Sequence, residues 1–408
     1  MKSLYDSIMN LTKKIKTLKN TEIAKEYNVS KPTVTRWVDL SEDGKYNLQL
    51  DKSGKKVSVI DNEHNRILLR ELSKNAINYK TEDNLKKVVV DPKLYDILNY
   101  EELVEAINGL RYSKMVNIKY FYKHANFWNK YYAAQLPVYF DITKINITNS
   151  IKDISYLVDS PEINLIDIGI GTGHPAIHLI SELLKKKTIK QYIGIDLSDE
   201  MLEISKRNLD NAFPKLSKNF YKSDIEKSRL GTLFTESIGM HENSPSIITL
   251  LGGTISNMED RIIVYKHIAS PMKNSDLFIF EFTVDSLASK TETNYVQLEG
   301  YKENDAWLLE AIGIDVKNCE IMVELNENGY KNKFIALDKD YELSFKHKKI
   351  DITLEFRKGD KISIWRHYLF SIQTLIKELN VAGLTLVGLK LDRTGRRAMV
   401  FCKRIQNL

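Results

Sequence analysis

Three stretches of the chain hold residues able to grip a nucleoside. In "NLIDIGIGTGHPAIHLI" (Asn164–Ile180) an apolar run leads into Asp167, Gly169, Gly171 and Gly173. "YIGIDLS" closes a second apolar run on Asp196, and "FYKSDIE" sets Asp224 after a third. Glycines let backbone come close to a ligand, because they lack a Cβ and accept positive φ. A carboxylate at the C-terminal end of a strand can accept both hydroxyls of a ribose. Asp196 has that place, and Asp224, one strand further on, suits an adenine amino group. The intervals, 27 residues from Gly169 to Asp196 and 28 from there to Asp224, set the three at successive strand ends.

Two other glycine-loop chemistries fail. A dinucleotide fingerprint needs a third glycine three residues after Gly171, where His174 stands. A P-loop needs Lys-Ser/Thr after the glycines, and none follows. The elements that carry the loop alternate. Strands are expected at 164–168, 191–195, 219–222, 246–250 and 277–282, with helices reaching 186 and 211 and another over 261–269. Such alternation predicts a parallel sheet covered on both faces.

The run Asp-x-Gly-x-Gly-x-Gly, from Asp167 through Gly173, resembles the loop of class I S-adenosylmethionine-dependent methyltransferases. A doubly wound domain that binds another nucleoside is the alternative. In this reading the glycines approach the methionine part of the cofactor, and Asp167 meets its ammonium or orients the loop. The fourth strand runs into "LLGGTISNMED", without the Pro-Pro-Tyr/Phe of amino-methylating DNA enzymes or the Pro-Cys of cytosine-5 enzymes. It resembles the Leu-Gly-Ser-Thr-Ile-Gly-Asn motif of histidine-specific methyltransferases, the family that trimethylates the α-amine of histidine. Gly252, Thr254, Ile255 and Asn257 match, and Gly253 and Ser256 are small-residue swaps. Upstream, "KYFYKHANFWNKYYAAQLPVYFDIT" is similar to that family's Phe-Tyr-Asp and Leu-Pro-Glu-Tyr-Tyr-x-Thr segments. Downstream, "LNVAGLTLVGLKLDRTGRRAMVFCKRI" is similar to its closing helix and hairpin. The likeness spans about Lys119 to Ile405.

The resemblance implies roles. Asn257 would hold the ammonium-carboxylate end of an amino-acid substrate, and Tyr122 would help seat it near the methyl group. Tyr139, Gly169, Asp196, Asp224 and Gly252 would line the cofactor. Core packing is the alternative for both tyrosines in this tyrosine-rich region. A small substrate domain, covering about 291–360, would close over the site. Its sequence alternates like antiparallel strands, with turns at Asn-Gly and Lys-His-Lys-Lys. The departure lies at two positions. Where the family grips imidazole with a glutamate and a serine, a gapless count back from Ala382-Gly-Leu384 gives Trp365 and His367. Free histidine is therefore not the expected substrate, and a bulkier aromatic or apolar amine is. The other reading is that Trp365 fills the pocket and turnover is lost.

The chain has 408 residues, 43% hydrophobic and 28% charged, which describes a folded multidomain protein. No apolar run approaches the roughly 18 residues of a membrane span, and the N-terminus lacks a signal-peptide pattern. Two cysteines, Cys319 and Cys402, suggest neither a metal site nor a disulfide, so a cytoplasmic setting is expected. The net charge of +6 sits in residues 1–80, which hold 16 Lys and Arg against 10 Asp and Glu. There "NTEIAKEYNVSKPTVTRWVDL" (Asn20–Leu40) has helix-turn-helix spacing, with Asn28 at the turn, Ser30 as cap, Pro32 in the first turn, and Val34 and Trp37 inward. Lys31, Thr33, Thr35 and Arg36 face outward, suited to phosphates and base edges. A helix over Leu4–Leu18 precedes it, and "YNLQLDKSGKKVSVI" follows as a wing-like hairpin. The segment resembles winged helix-turn-helix DNA-binding domains, although such pairs also serve as docking modules.

The expected architecture is thus an α/β class I methyltransferase. Its parts are a helix-turn-helix domain (1–80), a methyltransferase core with a helical cap (81–290), an inserted α+β substrate domain (291–360) and the rest of the core (361–408). Its expected activity is N-methylation of a small-molecule or peptide amine, with double-stranded DNA met by the head and no membrane partner. A homodimer stays open. The alternative is a DNA-binding regulator or defence factor whose methyltransferase-like part senses cofactor or ligand without turnover.

Overall fold

The computed structural model describes residues 17–42, 46–52, 57–77, 85–117, 119–120, 125–228, 230–231, 243–291, 307–327 and 329–405; of 74–77, 125–140, 288 and 291 it describes the backbone alone. The chain divides into two compact units, Met1–Leu85 and Lys86–Leu408.

In the first unit, β1 (Thr17–Leu18) leads into α1 (Asn20–Glu26) and α2 (Lys31–Glu42). Asn28 turns the chain between the helices at a φ of 51°, a left-handed conformation that asparagine tolerates better than most residues. The Ser30 Oγ accepts from the Thr33 amide at 3.2 Å and caps α2. Ile23, Val34, Trp37 and Val38 are buried between the helices and the strands that follow. Those strands, β2 (Leu50–Asp51) and β3 (Ser58–Ile60), form with β1 an antiparallel sheet of order β1-β3-β2. Next comes α3 (Glu63–Ile77). Its Asn65 is fully buried, donates to the carbonyls of Gln49 and Ile60, and accepts from the Gln49 amide, all at 2.8 Å. A buried amide so satisfied ties helix to strands at little cost. The helix expected over Leu4–Leu18 is corrected at its end. Thr17 and Leu18 pair with Ile60 and Val59 as a strand, a contact local propensity cannot foresee. Residues 4–16 and the hairpin tip at 53–56 lie outside the described residues.

The second unit begins with β4 (Leu85–Val89), α4 (Tyr100–Asn108) and the long α5 (Ala125–Leu157). There follow β5 (Glu162–Ile168), α6 (His174–Leu183), β6 (Thr188–Asp196), α7 (Asp199–Ala212), β7 (Lys218–Lys222), β8 (Ser246–Leu250), α8 (Arg261–Ala269) and β9 (Leu277–Thr283). Then come β10 (Glu320–Leu325), β11 (Tyr330–Ala336), β12 (Asp340–His347), β13 (Ile350–Phe356) and β14 (Lys361–Tyr368). The chain ends with α9 (Ile372–Val381), β15 (Leu384–Leu391) and β16 (Arg397–Arg404). Seven strands make one sheet of order β15-β16-β9-β8-β5-β6-β7, in which β5 to β9 run parallel and β16 opposes β9 and β15. Apolar strands such as Ile247–Leu250 are buried on both faces, as a helix-covered parallel sheet requires. Side chains of α5, α6 and α7 share the core on one face, and those of α8 and α9 the core on the other. The strand order reverses between β5 and β8, so a crevice opens at their C-terminal ends.

A second lobe of this unit has two antiparallel sheets, β10-β11-β14 and β13-β12-β4. Its core joins buried residues between Val90 and Tyr120 to others between Leu308 and Ile364. The sequence groups 81–290 together and 291–360 apart, whereas burial groups the helices ahead of the sheet with the later strands. Strand β14 links lobe and sheet, since the Phe370 amide just beyond it donates to the Thr283 carbonyl at 2.9 Å. Arg261 of α8 clamps this junction. Its guanidinium meets both carboxylate oxygens of Glu378 at 3.1 and 2.6 Å, donates to the Tyr330 hydroxyl at 2.7 Å, and lies 3.7 Å from the Tyr368 ring centroid.

Candidate active site

The glycine loop sits between β5 and α6. Gly169, Gly171 and Gly173 have φ of 65°, 54° and 78°, all in the left-handed region. A Cβ on Gly173 would lie 3.2 Å from the Ser205 Cβ, so the loop also needs glycine for its packing on α7. The Gly171 amide donates to Asp196 Oδ2 at 2.9 Å, and the Ser198 amide donates to Oδ1 at 3.0 Å. Asp196, at the end of β6, thereby fixes the loop against the neighbouring strand. Burial raises its pKa, against the pull of these amides.

Asp167 is buried below the loop. It accepts from Thr249 Oγ1 at 2.7 Å and from the Tyr192 hydroxyl at 3.2 Å, and burial pushes its pKa up to about 7. Those partners, Tyr192 of β6 and Thr249 of β8, tie β5 to the strands on either side of it. Asp224 follows β7 and accepts from the Glu226 amide at 3.1 Å. Lys119 Nζ is 3.9 Å from Asp224 Oδ2 and 2.5 Å from Glu105 Oε1. Neither Lys119 nor Glu105 carries a local sequence signal that marks it for this place.

The loop after β8 forms the opposite wall. Gly252 and Gly253 take φ of 74° and 76°, and a 3₁₀ turn over Thr254–Asn257 follows. Thr254 adjoins Gly169, where a Cβ would meet its side chain at 3.5 Å. The Gly252 amide donates at 3.1 Å to Glu281, a fully buried carboxylate of β9 that also accepts from Thr143 and Asn146 of α5, at 3.0 and 3.2 Å. Glu281 was legible as a lone acid in "FIFEF", where only a satisfied carboxylate could be buried.

Asn257 and His367 meet. The His367 Nδ1 is 3.0 Å from Asn257 Oδ1, and Nε2 is 2.6 Å from Thr283 Oγ1. Burial, with Arg397 and Lys331 nearby, pushes the imidazole pKa down to about 3. The ring is therefore neutral. With Asn257 presenting its oxygen, Nδ1–H donates and Nε2 accepts from the threonine. Sequence reading sets these two residues at opposite ends of a substrate, whereas β14 brings them into contact. Trp365, two residues before, is half-buried and packs against the core of the second lobe.

Tyr122 lies outside the described residues, and Tyr139 is in α5 with its side chain outside them. Lys31, Thr33, Thr35 and Arg36 belong to α2 of the first unit, with Lys31 and Thr35 exposed and the other two partly so. Among the described residues no group of His, Cys, Asp and Glu could hold a metal ion, and no helix is long and apolar enough to cross a membrane. Together, the open glycine backbone and the two strand-end acids can hold a nucleoside with a charged tail, beside a polar wall of Asn257, Thr283 and His367.

Several solved structures are similar. An S-adenosylmethionine-dependent methyltransferase of Clostridium acetobutylicum is 12% identical, with 69% of this chain and 99% of that one covered at a TM-score of 0.37. A sugar N-methyltransferase of Streptoalloteichus is 13% identical over 68% and 93% of the two chains, at 0.37. A glycopeptide N-methyltransferase with S-adenosylmethionine is 11% identical over 62% and 92%, at 0.33. No curated protein matches the chain. The model of a family described as "Histidine-specific methyltransferase, SAM-dependent" matches residues 103–404, which include the glycine loop, both strand-end acids, Asn257 and β14. With S-adenosylmethionine as its cofactor, the chain belongs to the histidine-specific S-adenosylmethionine-dependent methyltransferase family.

Proposed function

We propose that this protein methylates the nitrogen of an amino-acid-like amine other than free histidine. The carrying observation is the bond between Asn257 and a neutral His367. Asn257 stands beside the glycine loop, where the family's substrate-holding asparagine would be, and it supports an amine site. Trp365 and His367 take the places of the family's imidazole-gripping pair. A histidine ring N–H left unpaired there would cost on the order of 1–3 kcal/mol. The glycine loop would hold the methionine part of the cofactor, Asp196 the ribose and Asp224 the adenine.

S-adenosylmethionine supplies a methyl group on a sulfonium, ready for direct transfer. The residues of the chain orient the neutral amine and exclude water. His367 accepts from Thr283 and resists protonation, so it is a poor proton acceptor at neutral pH. The amine sheds its proton to solvent or to Tyr122. Incubation with methyl-labelled cofactor and panels of amino acids, peptides and nucleic acids tests this. We expect labelled N-methyl product from an amine and little from histidine. Efficient histidine methylation would overturn the reading of Trp365 and His367, and no transfer to any pool would favour a cofactor sensor.

For the first unit we propose a winged helix-turn-helix that binds double-stranded DNA through Lys31, Thr33, Thr35 and Arg36. The turn at Asn28 and the sheet order β1-β3-β2 support it. Duplex binding by the full chain should weaken as salt rises, and Arg36→Ala should weaken it without altering cofactor affinity. No shift of any duplex at low salt would favour a docking module.

A further inference from the structure

Asp224 opens a tight turn after β7, in which its carbonyl accepts from the Lys227 and Ser228 amides at 3.0 and 2.8 Å. Its Oδ1 accepts from the Glu226 amide within the turn, and its Oδ2 faces Lys119 Nζ at 3.9 Å. The turn meets the second lobe again through Lys227, whose Nζ lies 3.0 Å from Glu105 Oε2 on α4. Glu105 thus bridges two lysines, with Lys119 on one carboxylate oxygen and Lys227 on the other. Burial works against the charge on Glu105, yet its bonds from the two lysines hold its pKa below the ordinary carboxylate value.

Lys119 is itself well anchored. Its amide donates to Asn117 Oδ1 at 3.0 Å, and its ammonium lies 5.2 Å from the ring centroid of Tyr120, which is fully buried in the core of the second lobe. The side chains of Lys119 and Asp224 are 11% and 21% exposed, so water screens the pair only in part. Just ahead, the Val116 amide donates to the Ser363 carbonyl at 3.2 Å, and the Ser363 amide donates to the Lys114 carbonyl at 2.8 Å. Ser363 belongs to β14, the strand of Trp365 and His367. The residues that reach Asp224 are therefore fixed to the strand that carries the proposed substrate wall.

At 3.9 Å the lysine draws on Oδ2 by charge and makes no hydrogen bond to it, so the oxygen is oriented and keeps its capacity to accept. A carboxylate accepts and does not donate. It suits a 6-amino purine, which offers a donor, and repels a 6-oxo purine, which offers a second acceptor.

We propose that Lys119 and Glu105 are positioning residues of the cofactor site, which hold the Asp224 carboxylate toward the 6-amino group of adenine and give the second lobe a part in cofactor selection. This rests on the reading of Asp224 as the adenine acceptor.

The test is calorimetry on the full chain with S-adenosylhomocysteine and with S-inosylhomocysteine, its 6-oxo analogue. Wild type should prefer the adenosyl form by at least about tenfold, the scale of a hydrogen bond replaced by two facing acceptors. Asp224→Asn should lower that ratio, because its amide can donate to the 6-oxo group. Lys119→Met should lower it about threefold, as expected of a partly exposed ion pair, and Lys119→Arg should restore most of it. In the Asp224→Asn background Lys119→Met should change the ratio no further. A purely structural loss would weaken both ligands alike and leave the ratio where it was. Glu105→Gln should act in the direction of Lys119→Met, and it decides the matter should Lys119→Met fail to fold. An unchanged ratio in a folded Lys119→Met or Glu105→Gln, with Asp224→Asn lowering it, overturns the proposal and leaves the adenine reading standing. No preference in wild type, or one that Asp224→Asn leaves intact, overturns the adenine reading of Asp224 and the proposal with it.

Discussion

The two walls of the site are built in different ways. The cofactor wall uses consecutive βα units, and backbone does much of its work: three glycines in the left-handed region, and two amides on Asp196. The wall proposed to face the substrate is assembled from Asn257, Thr283 and His367, which come from three separate segments, and side chains do its work. A wall made of backbone is set once the local turns form, so it accommodates few substitutions and varies little in chemistry. A wall made of side chains on paired strands keeps its geometry while its residues change. The fold can therefore keep one cofactor and exchange the amine, as a carboxylate and hydroxyl giving way to Trp365 and His367 would do.

The contrast can be broken hardest at the junction that holds β14. Arg261→Ala would leave Glu378 buried without its guanidinium and Tyr368 without its cation. We expect a loss of about 3–5 kcal/mol in stability, read from urea unfolding. A change within 1 kcal/mol on the order expected for surface residues would show that the substrate wall does not depend on this clamp. Next comes the cofactor wall. Asp196→Ala removes the acceptor of the Gly171 and Ser198 amides together with the proposed ribose contact. S-adenosylhomocysteine affinity should fall by at least about 1.5 kcal/mol, roughly tenfold or more, by calorimetry. If the loss is much smaller, backbone alone holds the nucleoside.

The comparison sharpens further as a difference in sign with pH. The folded pKa of His367 is depressed from 6.5 to about 3, so its contribution is present above pH 6.5 and is lost as pH falls toward 3. That of Asp167 is raised from 3.8 to about 7, so its contribution is present below 3.8 and is lost as pH rises through 7. Between these limits acid favours one wall and weakens the other. His367→Gln should flatten the loss of stability on acidification, and Asp167→Asn should flatten the loss toward pH 7. Thermal unfolding of both variants from pH 4 to 8 checks this, and parallel curves for variants and wild type would refute it.

Much of the cofactor wall could be read directly. Gly169, Gly171 and Gly173 occupy conformations that favour glycine, and Asp196 ends a strand whose apolar run gives its length away. Asn28, Ser30 and Trp37 likewise mark turn, cap and buried stripe in the first unit. Thr17 and Leu18 were not legible as a strand, because their partners, Ile60 and Val59, lie beyond two helices. Nor was Lys119, whose neighbours Glu105 and Asp224 belong to distant segments.

The sequence by itself determined the alternation of strand and helix, the left-handed turns and the acids at strand ends, since each depends on a few neighbouring residues and their dihedral limits. The tertiary structure alone decided that His367 meets Asn257 across 110 residues, that Glu281 is satisfied from α5, and that Lys331 and Lys333 face the same wall. Strand register sets those contacts, and a one-residue slip would send each side chain to the other face.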